Sequence, residues 1–194
     1  MSPHPFKPVQ ALGNDSAIFA AAQDAFTPQQ LDGIIALGDA LVQIDDNARL
    51  GRPDNHRLCK IAWIKKNADS EWLYDRLAQV AAELNAQHFQ FDVYGFVEPF
   101  QYVVYEEGGH FAWHVDKHPS NKSPRKLSLT LQLSDEADYE GGALEFRTDM
   151  YPKSASGKRG SVNLFPSWLS HRVTPVTKGI RKSLVAWIAG PNFK

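Results

Sequence analysis

Residues 105–119 read YEEGGHFAWHVDKHP, and how this stretch folds decides the rest. His110, His114 and His118 recur every fourth residue, the spacing at which a helix would stack imidazoles into a zinc site. Gly108 and Gly109 on one side and Pro119 on the other oppose a helix, and the flanking runs alternate apolar with polar residues. The stretch therefore reads as a strand. Alternate side chains of a strand share a face, so His114 and Asp116 point the same way and offer two ligands to a metal. A regular strand would put His110 on that face as a supporting group; otherwise His110 and His118 are loop or surface histidines.

The period of two continues outward from this stretch. Alternating runs occupy residues 101–105, 111–116, 127–133, 143–146, 161–165, 171–175 and 182–189. Turn residues part them, among them Glu107-Gly108-Gly109, Pro119-Ser120-Asn121, Gly141-Gly142 and Ser156-Gly157. Many short strands with frequent turns predict a sandwich or barrel. In LSLTLQL, residues 127–133, four leucines form one face. Ser128, Thr130 and Gln132 form the other, which either meets solvent or lines a polar cavity.

Ahead of the strands the period is helical. Thr27, Pro28 and Gln30 make a capping box with proline at the first helical position. Leu31, Ile34, Ile35, Leu37, Gly38 and Leu41 then predict a helix over 28–43. Residues 45–57 are polar and read as a loop, followed by a short strand over Cys59–Ile64. Asp69 or Ser70 is the expected cap of a second helix, whose apolar face runs from Trp72 to Leu84 and which ends near residue 87. Residues 1–16, with Pro3, Pro5 and Pro8, read as an irregular arm. The 194 residues suit one domain: an arm and helical buttress over 1–88, then a β core over 89–194.

Composition excludes several classes. A formal net charge of −1 leaves no footprint for nucleic acid. No stretch nears the ~20 apolar residues of a membrane span, and no signal peptide is visible. Cys59 is the single cysteine, which rules out a disulfide within the chain and fits a buried thiol. A reducing cytoplasm is the expected location. Oligomeric state is not legible.

A third metal ligand must come from elsewhere, and His171, in FPSWLSHRVTPV, opens a strand-like run. Arg181 follows ten residues later, sharing a strand face with Ser183, Val185 and Trp187. An inward arginine needs an anion, and a dicarboxylate would provide a bidentate pair. Two imidazoles and one carboxylate with open positions are the facial triad of non-haem Fe(II) sites. An aspartate at 116, rather than a small residue, fills the position that a halide would need.

The ordered set resembles the prolyl 4-hydroxylase-like branch of the 2-oxoglutarate/Fe(II) oxygenases, and most closely the PKHD-type hydroxylases. It comprises Tyr105, Gly108 and Phe111; His114-Val115-Asp116; Arg125, Leu127 and Ser128; Gly141-Gly142, Leu144 and Phe146; Gly160 and Phe165-Pro166-Ser167; His171 and Val173-Thr174-Pro175-Val176; and Gly179, Arg181, Ser183 and Trp187. The resemblance implies a double-stranded β-helix (a cupin-like jelly roll) buttressed by N-terminal helices. It implies Fe(II) on His114, Asp116 and His171, and the distal carboxylate of 2-oxoglutarate on Arg181 with Tyr105 nearby. Relatives often carry a tyrosine where this chain has Gln132, so Gln132, Thr130 or Ser183 takes over that part of the co-substrate site. The implied reaction hydroxylates an unactivated C–H bond of a peptidyl or free amino acid, with O2 consumed, 2-oxoglutarate decarboxylated to succinate and CO2, and ascorbate as a reductant. Two other readings use the same ligands: a jelly roll that senses a ligand without oxidising it, and a zinc hydrolase, which would leave Arg181 without a role. Gln101, Trp113, Arg125, Lys126 and Trp168 are candidates for the substrate opening.

Overall fold

A computed structural model describes residues 18–44, 49–51, 56–117, 124–148 and 150–191. The arm expected over 1–16, His118 and the turn at Pro119-Ser120-Asn121 lie outside the described residues. Two helices, α1 (Pro28–Ile44) and α2 (Glu71–Leu84), accompany fourteen strands. In chain order the strands are β1 (Ala20–Ala22), β2 (Arg49–Gly51), β3 (Arg57–Ile64), β4 (Gly95–Phe96), β5 (Phe100–Tyr105), β6 (His110–His114) and β7 (Arg125–Gln132), then β8 (Tyr139–Gly141), β9 (Leu144–Phe146), β10 (Lys153–Ser154), β11 (Val162–Pro166), β12 (His171–Val173), β13 (Val176–Gly179) and β14 (Arg181–Ala189).

All pairings are antiparallel, in the order β1-β11-β7-β14-β5-β3-β6-β12-β9-β10, with β2 added to β3, β4 to β14, and β13 paired to β8. The sheet curls at β3. Most of β3 pairs with β5, while its first residues, Arg57 and Leu58, pair with Phe111 and His110 of β6. Strands β6, β12 and β9 thus form a second wall facing the first across a cavity lined from both sides. This is the jelly roll expected from the sequence.

The wall is two-sided because its strands alternate. On β7 the residues Leu127, Leu129 and Leu131 are fully buried on the outer face, joined by Leu184, Ala186 and Ile188 of β14 and Phe100, Tyr102 and Val104 of β5. Helices α1 and α2 cover that face with Leu31, Ile34, Leu73, Leu77, Val80 and Leu84. Each such side chain contributes about 1.5–3 kcal/mol by leaving water. Polar ties fix the helices in place: Tyr102 donates to Asp39 Oδ1 at 2.7 Å, Lys182 to Asp39 Oδ2 at 2.6 Å, and the Tyr74 hydroxyl to the Ile64 carbonyl at 2.7 Å. The opposite face, with Ser128, Thr130 and Gln132, looks into the interior.

The capping box forms as read: Thr27 N donates to Gln30 Oε1 at 2.9 Å, and Gln30 N to Thr27 Oγ1 at 3.2 Å. Three expectations need correction and one needs refinement. Within the stretch read as a polar loop, Arg49–Gly51 pairs with Leu58–Lys60, because an edge strand needs backbone groups rather than an apolar pattern. Ser70 stands at the N-cap of α2, one of the two residues read for it, but its side chain makes no capping bond, and the turn that leads into it is fixed by Asn67. Asn67 Oδ1 accepts from the N–H groups of both Asp69 and Ser70, while the Ser70 hydroxyl donates to the Lys65 carbonyl. After Leu84 the chain loosens into a π-turn, Asn85–Phe89, closed by Gln90 at φ 54°. Strand β6 ends at His114, so Asp116 sits just beyond it rather than on it.

Gly38 on α1 is buried against the Tyr102 ring, where an added Cβ would fall inside the ring. Alanine would gain about 1 kcal/mol of helix propensity, but Tyr102 is fully buried and cannot yield. Overpacking of this kind costs about 1–3 kcal/mol. Gly38→Ala is expected to lower stability by up to about 2 kcal/mol net in urea unfolding; a raised midpoint would mean that the ring moves freely.

Candidate active site

His114 closes β6, His171 opens β12, and the two are paired residues in the ladder. Their rings lie 4.1 Å apart between centroids. Asp116 is brought to them by the turn after β6, where Asp116 N and Lys117 N both donate to the Ser167 carbonyl, at 2.9 and 2.8 Å. Its two carboxylate oxygens face different imidazoles: His114 Nε2 is 3.7 Å from Oδ1, and His171 Nε2 is 3.7 Å from Oδ2. One donor atom from each residue lies within 4.8 Å of the others. Ligands at right angles on a dication with bonds of about 2.1 Å stand about 3 Å apart, so the set fits a metal after a small inward movement.

The surroundings prepare the donors. Nδ1 of His114 lies 2.8 Å from the Ala112 carbonyl, and Nδ1 of His171 lies 2.8 Å from the Leu169 carbonyl. A carbonyl only accepts, so each Nδ1 carries a proton and each Nε2 is turned to the site. Burial, reinforced by His171, lowers the His114 pKa to about 4, which keeps that ring neutral. Burial alone would raise the Asp116 carboxyl; the two imidazoles, the Ser128 hydroxyl and Trp187 outweigh it and hold the group below its ordinary value. Ser128 Oγ donates to Asp116 Oδ2 at 2.6 Å and meets Ser167 Oγ at 3.0 Å. The Trp187 indole N–H, also buried, acts on Asp116 from beyond hydrogen-bond geometry and has no closer partner among the described residues.

These groups line a cavity of about 380 Å³. Arg181, at the start of β14 and 4% exposed, borders it without a carboxylate partner among the described residues; Arg181 Nη1 donates to Ser183 Oγ at 3.3 Å. Arg181 is the ladder partner of Tyr105, and its guanidinium lies 5.5 Å from that ring. Burial pushes the Tyr105 phenol up to about 12, against the pull of Arg57, so it remains a donor. Thr130 and Ser183 line the same cavity.

Gln132 does not line it. Gln132 faces an adjoining space of about 240 Å³, which shares Thr130, Leu144 and Arg181 with the first, and its Nε2 contacts the Ser134 carbonyl and the Tyr139 hydroxyl. His110 turns to the Gly108 carbonyl instead of supporting the cluster. Of the residues read for the opening, Gln101 and Arg125 line the cavity; Trp113, Lys126 and Trp168 do not. Arg125 forms a bidentate pair with Glu98, at 2.6 and 2.5 Å, and lies over the Trp187 ring at 3.7 Å.

Among the lining or bordering residues that escaped the sequence reading are Arg57, His56, Trp63 and Asn163. For Asn163 a signal existed. It is the polar residue in an otherwise apolar strand, VNLFP, and it pairs with Thr130. Arg57 and His56 sit in a polar stretch whose alternation does not announce a face.

The model of the 2OG-Fe(II) oxygenase superfamily matches residues 100–189. A PKHD-type hydroxylase of Synechococcus sp. (strain CC9902) is 42% identical over 83 residues, 43% of this chain and 37% of that protein. Another, of Psychrobacter sp. (strain PRwf-1), is 30% identical over 169 residues, 82% of this chain and 59% of that protein. The chain thus spans about two fifths to three fifths of the curated relatives it matches. In fold it is similar to a prolyl hydroxylase of Trichoplax adhaerens solved with a hypoxia inducible factor oxygen degradation domain peptide fragment. The TM-score is 0.73 at 17% identity, over 89% of this chain and 84% of that chain. The ordered motif and these matches agree: over residues 100–189 the chain is similar to the 2OG-Fe(II) oxygenase superfamily, and within it to the PKHD-type hydroxylases.

Proposed function

We propose that this chain is an Fe(II)- and 2-oxoglutarate-dependent hydroxylase of the prolyl 4-hydroxylase-like kind, acting on an unactivated C–H bond of a peptidyl or free amino acid. The observation that carries the reading is the juxtaposition of two features in one cavity: a His114/Asp116/His171 donor set, and a buried guanidinium, Arg181, that lacks a carboxylate partner among the described residues. A hydrolase or a bare metal sensor explains the first and leaves the second costly.

His114, Asp116 and His171 would hold the metal, and Arg181 the distal carboxylate of the 2-oxo acid. When bound, the metal and 2-oxoglutarate with O2 supply the oxidising chemistry, in which the 2-oxo acid becomes succinate and CO2, one oxygen atom enters the substrate, and ascorbate serves as a reductant. The protein's own part is placement. The backbone carbonyls of Ala112 and Leu169 fix both ring tautomers. Ser128 and the Ser167 carbonyl orient Asp116. Tyr105, a protonated phenol, and Ser183 and Thr130 add donors beside Arg181. The apolar side chains of Leu144, Phe165, Val173 and Val185 limit water in the rest of the cavity. Trp63, 39% exposed, Gln101 and Arg125 border the mouth through which substrate enters. No described helix is long and apolar enough to cross a membrane.

Anaerobic titration of the metal-free protein with Fe(II), then 2-oxoglutarate, should produce a weak visible charge-transfer band only when both are present. His171→Ala, His114→Ala and Asp116→Ala should each abolish it. Iron binding without a band would return the sensor and hydrolase readings. Arg181→Ala should weaken 2-oxoglutarate by about ten- to hundredfold, the worth of a charged hydrogen-bonded pair, and leave a 2-oxo monocarboxylate unaffected; equal loss for both acids would contradict the assigned role. Ser128→Ala removes the Asp116 hydrogen bond and should cost about 10–100-fold in metal affinity, read by competition with a chelator. Unchanged affinity would assign Ser128 to packing alone.

A further inference from the structure

The cavity's charges do not balance once the proposed iron and co-substrate are accounted for, and the surplus sits at Arg57. Three guanidinium groups line the cavity, those of Arg57, Arg125 and Arg181, and Asp116 is the only carboxylate among the described lining residues. Arg125 is neutralised by Glu98. Arg181 is assigned to the co-substrate and Asp116 to the metal. Arg57 is left with neutral acceptors only: Nε donates to Cys59 Sγ at 3.0 Å, and Nη2 to Gln101 Oε1 at 2.7 Å. Its guanidinium lies over the Phe111 ring at 4.5 Å, which fixes its plane, and burial holds the Cys59 thiol above its ordinary pKa, so that neighbour brings no compensating charge.

Gln101 strengthens the case. A guanidinium has no acceptor, so the Gln101 carbonyl must face Arg57, and the amide –NH2 is left as a donor. Gln101 is 5% exposed and lines the cavity, and its –NH2 has no hydrogen-bond partner among the described residues. A cation without an anion and an amide –NH2 without an acceptor, among the described residues, therefore stand side by side at the cavity wall. Strand geometry sets them there: Gln101 lies opposite Trp63 on β3 and Val185 on β14, and Arg57 lies on the same inward-facing alternation as Cys59 and Trp63.

We propose that Arg57 and Gln101 form a carboxylate subsite for the substrate, so that the molecule hydroxylated is an acid, a free amino acid or a chain-terminal residue, rather than an internal residue of a peptide. A carboxylate matches both donors at once and gives the bidentate geometry that guanidinium favours. The aromatic faces of Trp63 and Phe111 beside it leave room for an apolar body between the carboxylate and the metal. The inference rests on the hydroxylase reading, and the experiment separates the two.

The wild-type protein is first loaded anaerobically with Fe(II) and 2-oxoglutarate; absence of the charge-transfer band at this stage would defeat the hydroxylase reading before any probe is added. The loaded protein is then titrated with the free and N-acetylated common amino acids, each paired with its carboxamide, and the shift of the band is followed. At least one acid should shift the band, with its amide about ten- to hundredfold weaker. Arg57→Gln should erase that preference. Gln101→Glu, which keeps Arg57 but neutralises it, should erase it too, and Arg57→Lys should keep part of it. The proposal is overturned if amides bind as well as acids, if no acid shifts the band, or if the preference survives in both Arg57→Gln and Gln101→Glu. It is equally overturned if Arg57→Gln weakens 2-oxoglutarate as much as Arg181→Ala does, which would make Arg57 a co-substrate residue.

Discussion

Every second side chain of β5, β7 and β14 turns away from the helices into an interior from which water is largely excluded. On that inner face the sequence places hydroxyls, amides and a guanidinium: Gln101 and Tyr105, Ser128 and Thr130, Arg181 and Ser183. Polar groups so placed are costly unless paired. The fold tolerates them because the outer face of the same strands is mostly apolar and well covered: Leu127, Leu129, Leu131, Tyr102, Leu184 and Ala186 are all at 0% exposure. One alternation thus does two jobs, and neither face can be altered without shifting what the other requires. A one-residue slip of register would exchange the leucines for the site.

Pairing of the inner groups is uneven, and the unevenness is informative. Around Asp116 it is dense: a serine hydroxyl, two backbone N–H groups of the turn on one carbonyl, and two imidazoles whose far nitrogens are anchored on backbone. Such a web holds three donors in place before any ion arrives, so little ordering entropy is lost on binding. Around Arg181, Arg57 and the Gln101 amide it is sparse. A chain that satisfies its own carboxylate so thoroughly and leaves its cations open is arranged to receive anions.

Legibility in the sequence followed the range of the interactions. The capping box of α1 is local and was read residue by residue. The strand alternation and the His114, Asp116, His171 and Arg181 set were visible because each sits at a fixed step from its neighbours or in an ordered motif. The face of β7 was left open in the sequence, since solvent and cavity both suit Ser128 and Thr130; only the position of the helices decides it. The surroundings of Gln132 were hidden for a related reason. Its strand position is inward, but its amide reaches the Tyr139 hydroxyl and Ser134 carbonyl, partners that the register of β7 alone does not disclose. The Arg125–Glu98 pair, the Asn67 turn and the edge strand β2 depend on tertiary proximity, irregular turns or backbone pairing, none of which leaves a periodic trace.

Arg57 and Arg181 stand on strands that flank β5 on opposite sides, with Tyr105 at the end of β5 between them. Both guanidiniums act on the Tyr105 phenol, so they also act on each other through a poorly screened interior. On the proposed reading this couples the two anions. With both arginines open, the cavity carries its largest positive field, and a dianion gains most from entering first. With the co-substrate balancing Arg181 and the metal's excess charge, Arg57 would remain the one open cation among the described lining residues, and a monoanionic acid would complete the balance. A neutral amide would leave that last charge unpaired in a space bordered by Phe111 and Trp63, and discrimination of this kind comes from the penalty of the unpaired group as much as from the bond that is made.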